Sequence, residues 1–133
     1  IYDYTVLKPN DKLIFPISFD YISKTSTEHY DYNDDILIKQ PGFYRITYSV
    51  AYEGTMNMIN TVMTVSAENN KLVQMMTSMS SGTNTQTCIN HTFYSAIKGY
   101  NYKLKLMVKF NETDRLKELC IYPLQTWICI EKV

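Results

Sequence analysis

The chain has 133 residues, and its thirteen Lys and Arg balance thirteen Asp and Glu, which argues against a basic track for a phosphate backbone. That length suits one domain able to bury roughly two-thirds of its unfolded surface. No run of eighteen apolar residues is present to cross a bilayer as a helix. Apolar content is ordinary at 45%, but it is skewed, with 12 Tyr and 5 Phe beside a single Trp. Tyr favours half-buried strands and interfaces, so the skew points to β structure. The chain opens at Ile1-Tyr2-Asp3-Tyr4 with neither an initiator Met nor a leader, and it reads as a domain excised from a longer product.

Strand signals run through the chain. Leu13 to Phe19 is short and apolar, and Pro16 suits an edge strand or a bulge. Ser23 to Asn33 is polar and aromatic and reads as a loop. Ile36-Leu37-Ile38 then leads through Pro41-Gly42 into the most informative segment. Tyr44, Ile46, Tyr48, Val50 and Tyr52 alternate with Phe43, Arg45, Thr47, Ser49 and Ala51, which predicts a strand with one core face. Gly42 after Pro41 fits a type II turn, where a positive φ favours glycine.

Thr61 to Ser66 and Leu72 to Met76 predict a hairpin with Asn69-Asn70 at its tip, since Asn tolerates left-handed φ. Ser78 to Gln86 is a Ser/Thr/Gly/Asn cluster and reads as a loop. Thr87 to Ala96 is a further strand. The clearest alternation follows: Tyr100, Tyr102, Leu104, Leu106, Val108 and Phe110 take one face, while Lys103, Lys105, Met107 and Lys109 take the other. Asn111 to Lys117 is a charged loop. Asp114 to Cys120 has charges at helical spacing but is too short to count as a helix. The end, Trp127 to Val133, is apolar on both sides until Glu131, as in a strand within a sheet or against a partner. Eight or more strands joined by polar turns predict an all-β sandwich or jelly roll.

Three stretches occur in a familiar order: Asp35 to Val50, the Asn69-Asn70 hairpin, and Ile128-Cys129-Ile130-Glu131-Lys132-Val133. Together they resemble the C-terminal globular domain of BclA-type bacterial collagen-like exosporium glycoproteins, within the tumour-necrosis-factor-like and complement-head-like class. The resemblance implies a jelly-roll β-sandwich of about ten strands over 13–133, with 1–12 an N-terminal linker or stalk junction. It further implies a homotrimer that caps a collagen-like stalk and is displayed outside the cell, on a spore or cell surface. This chain departs from the pattern in being poor in Gly and rich in Tyr, Met and Lys, and it has no Gly-X-Y repeats.

The residue inventory offers little for catalysis. A jelly-roll metal site wants closely spaced His with a carboxylate, whereas His29 and His91 stand far apart and each alone. Asp31, Asn33 and Asp35 alternate like the opening of a calcium loop, but Ile36 stands where that loop needs Gly and Gly42 where it needs Glu. Those three residues are left as a weak surface calcium candidate, set against a solvated acidic turn. No Gly-x-Ser-x-Gly elbow and no phosphate-cradling loop is present, so the expectation is a protein that is not an enzyme and needs no cofactor. Cys88, Cys120 and Cys129 match no zinc pattern; they read as small hydrophobes, with a Cys120–Cys129 disulfide as the alternative.

The expected function is a non-enzymatic trimerisation and display domain at the tip of a collagen-like filament, contributing to adhesion. Its partners are then further copies of itself and a host-surface protein or glycan, with no nucleic acid and no membrane insertion. Tyr100, Tyr102, Phe110 and Trp127 are the candidate trimer contacts, because aromatic residues are enriched where subunits meet. The alternative is a receptor- or glycan-binding module of a trimeric fibre tip or cytokine-like ligand.

Overall fold

The computed structural model describes residues 5–9, 12–15, 30–31, 36–55, 58–110, 114, 116–122 and 125–133. They form eleven strands in two antiparallel sheets, with no α-helix among the described residues. Sheet A holds β1 (Thr5–Leu7), β5 (Gly42–Gly54), β8 (Thr83–Ile97), β10 (Leu119–Ile121) and β11 (Trp127–Lys132). Sheet B holds β2 (Lys12–Phe15), β3 (Tyr30–Asp31), β4 (Ile36–Ile38), β6 (Ile59–Ser66), β7 (Leu72–Ser80) and β9 (Tyr102–Phe110).

β5 organises sheet A. β8 lies along one side of it from Gly42 to Gly54, and β11 and then β10 follow along the other, with β1 beyond β10. β9 plays the same part in sheet B, between β6 on one side and β4 with β2 on the other. β7 pairs with β6 and β8 with β5, each on a single side, so consecutive strands form the outer edges of the two sheets.

Alternation decides what is buried. Tyr44, Ile46, Tyr48, Val50 and Tyr52 all face inward, as do Leu104, Leu106, Val108 and Phe110 across the sandwich. Each fully buried side chain of this kind stabilises the fold by roughly 1.5–3 kcal/mol. The three core tyrosines are tolerated because each hydroxyl finds a partner. Tyr44 donates to the Gln40 carbonyl at 2.9 Å, Tyr48 meets Thr61 Oγ1 at 2.7 Å, and Tyr52 donates to the Ser81 carbonyl at 2.8 Å. Burial pushes the Tyr44 and Tyr48 hydroxyls above their ordinary pKa.

The Asn70 tip is left-handed, with φ 67°, as its residue type predicts. Gly42 differs from expectation. Its φ of 159° is nearly extended and not that of a type II turn. Glycine there provides room instead, since an added Cβ would sit 2.8 Å from Lys132 Cε and 3.3 Å from the Tyr44 ring.

Ser78 to Gln86 also differs from its loop reading, because β7 runs to Ser80 and β8 begins at Thr83. β7 and the first half of β8 are solvated edges, so their strands need no apolar run to form. β10 and β1 were hidden for the opposite reason: each is three residues long, too short for alternation to register. β1 lies within the segment 1–12 read as a linker, and its pairing with β10 makes it part of sheet A.

Candidate interaction surfaces

The residues of β5, β8 and β11 that do not enter the core form one broad outer face of sheet A. Phe43 and Tyr94 project from neighbouring strands and stack, with ring centroids 5.7 Å apart and planes 10° from parallel. Both are about half exposed, at 48% and 51%. Arg45, Tyr94 and Glu131 share one cross-strand row, and Arg45 forms an ion pair with Glu131. The guanidinium hydrogen bond, with help from the Cys129 thiol, holds the Glu131 carboxyl below the usual carboxylate range. Thr47 and Thr92 hydroxyls meet at 3.0 Å in the next row. Half-buried Trp127 and Cys129 complete a shallow depression of about 340 Å³ between these groups.

A second surface is the open edge made by β7 and β8. Leu72, Val73, Met75 and Met79 are 48–65% exposed along β7. Gln74 Nε2 donates to the Tyr94 carbonyl at 3.2 Å and so ties the two edge strands together across the sandwich. Behind it, His91 tilts against Tyr48 and Phe93, and its Nε2 is buried without a hydrogen-bond partner.

A third feature, a cavity of about 500 Å³, lies at the far end of sheet A near Glu53, Thr83, Glu118, Cys120 and Tyr122. Tyr122 donates to Glu53 at 2.8 Å and Lys8 pairs with Glu118 at 2.6 Å, so both carboxylates already have partners. Burial, then the charges of Glu53 and Glu118, pushes the Cys120 thiol up, which disfavours the reactive thiolate.

The candidate trimer contacts separate in space. Trp127 lies on the outer face of sheet A, and Tyr100 is 62% exposed in the turn between β8 and β9. Tyr102 is half-buried and packs against the core. Phe110 is wholly buried between the sheets and has no surface to offer a neighbouring subunit. The alternation grouping these residues is real, but the face carrying Tyr102 and Phe110 turns inward.

All three cysteines are free thiols. The Cys120–Cys129 disulfide alternative fails on register, because Cys120 stands opposite Glu53 and Cys129 opposite Thr47 on β5. That offset corresponds to about 20 Å along the strand, far beyond disulfide reach. His29, Asn33 and Asp35 lie outside the described residues, while Asp31 stands opposite Leu37 in β3. Among the described residues, no three His, Cys, Asp or Glu side chains stand close enough to hold a metal ion.

What the sequence reading missed is the Phe43–Tyr94 stack. Phe43 was visible on the face opposite the core tyrosines and Tyr94 only as part of the strand Thr87 to Ala96, and pairing them needed the offset between β5 and β8. No protein-family model matches the chain, and no curated protein matches it.

Proposed function

We propose that this chain is a non-enzymatic, self-associating display domain of the jelly-roll type. Three copies form a homotrimer that caps a collagen-like filament on a spore or cell surface and contributes to adhesion. The path of the chain supports the jelly-roll reading. From β4 to β11 it passes between sheets at every step except from β6 to β7 and from β10 to β11. The BclA-type resemblance of Asp35 to Val50 and of the terminal strand supports the same reading.

The observation that carries the proposal is the uncovered aromatic face of sheet A, centred on Phe43, Tyr94 and Trp127. The open β7/β8 edge, with Met75 and Met79, is its complement. Two unlike surfaces on one chain suit a head-to-tail contact, which closes into a ring when the rotation allows. Such a ring brings three stalk strands into register and lowers the entropic cost of winding them together.

Light scattering after size exclusion tests the reading, with a mass of three chains expected. Tyr94→Arg and Met75→Asp, one on each surface, are each expected to reduce that mass to a single chain. A wild-type protein of one-chain mass at micromolar concentration overturns the proposal.

A further inference from the structure

The outer face of sheet B carries, two strands in from the β7 edge, a charge pattern that the fold does not use. Lys103, Lys105 and Lys109 project from β9 on the side away from the buried Leu104, Leu106 and Val108. Two residues along a strand span about 7 Å, and six span about 20 Å, so the three ammonium groups form a line. β6 runs beside them. Ser66, Thr64 and Asn60 stand in register with Lys103, Lys105 and Lys109 in turn. On the other side Lys12 stands in register with Lys109.

Among the described residues, the acidic residue in register with this face is Asp31, on β3 two strands from Lys103. Lys103 itself reaches Asn70 Oδ1, at 3.3 Å, a neutral partner. A chain of zero net charge has therefore gathered positive charge along one strand. Like charge gathered on one face with no structural gain is a feature that functional surfaces show.

We propose that the outer face of sheet B binds a linear anionic polysaccharide, its sulfate or carboxylate groups held by Lys103, Lys105 and Lys109. The neighbouring hydroxyl and amide row of Thr64, Ser66 and Asn60 favours a sugar polymer, which offers hydroxyls between its charges. Nucleic acid is disfavoured, because the lysine row and the β6 row beside it hold no aromatic to stack on a base and no arginine. A bilayer is disfavoured because the row flanking the lysines is polar except for the buried Val62 opposite Met107; the exposed Met75 and Met79 stand one strand further out on this face, on β7, in register with Thr64 and Asn60. The inference goes beyond the trimer reading and needs only one chain.

The test is binding to heparin at low salt, compared with duplex DNA and with phosphatidylserine vesicles, while the mass is followed in parallel. Heparin is expected to bind and to be released by rising salt. Replacing all three lysines by Gln is expected to weaken binding by roughly a hundredfold, about fivefold for each lost contact. Lys105→Glu alone is expected to weaken it more than tenfold, and Lys8→Gln, which removes one positive charge just beyond β1 of the other sheet, less than twofold. Heparin is expected to raise the melting temperature of the wild type but not of the triple variant. Triple-variant binding equal to that of Lys8→Gln overturns the proposal, as does equal wild-type affinity for DNA or vesicles. Heparin binding by a one-chain species retains this site while removing the trimer.

Discussion

Thr126 shows how much a single side chain decides in this protein. It is 1% exposed, accepts a hydrogen bond from the Ala51 amide at 3.2 Å and donates to the Tyr122 carbonyl at 3.0 Å. Thr126→Val keeps the shape but leaves the Ala51 amide without its partner, while the Tyr122 carbonyl keeps the Gln125 amide, so a loss of about 1–3 kcal/mol is expected from urea unfolding. Nothing in the sequence around Thr126 signals this role, because both partners come from tertiary placement. The Arg45–Glu131 pair makes a different kind of prediction. Glu131 titrates below its ordinary value, so its contribution is present above that value and is lost as pH falls through the depressed one. In Arg45→Gln the Glu131 titration, followed by NMR, is expected to move up toward the ordinary carboxylate range. The stability difference between the two proteins is expected to narrow as pH falls through the depressed value. The arginine was visible on the face opposite the core tyrosines, and the glutamate as the residue where the terminal strand ceases to be apolar. Their pairing required the register of β11 on β5.

At the scale of the element, alternation made β5 and β9 legible, and a contrast within one predicted face checks them. Phe110→Ala is expected to cost about 3–5 kcal/mol, because it empties a fully buried site. Tyr100→Ala, in an exposed turn, is expected to change stability by less than about 0.5 kcal/mol. Chemical denaturation measures both. β7 and β8 were legible only in part. Their outer residues are mixed and solvated, so periodicity fails there, and pairing with β6 and β5 holds them extended. The exposed methionines of β7 belong to this scale too. Met75→Asp is expected to weaken self-association while leaving the unfolding midpoint of the isolated chain nearly unchanged.

For the molecule as a whole, zero net charge misleads. Among the described residues, lysines line β9 on the outside of sheet B, while the Arg45–Glu131 pair and aromatics occupy the outside of sheet A. Such a sandwich can associate through the face of sheet A and the β7 edge and still present the β9 lysine row. Trimer mass and heparin retention are therefore expected to respond to different substitutions. Tyr94→Arg is expected to alter the first and Lys105→Glu the second.

The all-β class, the core face of β5 and β9, and the Asn70 hairpin tip were determined by the sequence alone. Each follows from a two-residue period or a local backbone preference, and both act between near neighbours. Tertiary structure alone decided which outward residues meet. The Phe43–Tyr94 stack, the separation of Cys120 from Cys129 and the lysine row beside Ser66, Thr64 and Asn60 all depend on register between strands distant in the chain. Register is set by whole-sheet packing, because a one-residue slip would send an entire core face to solvent.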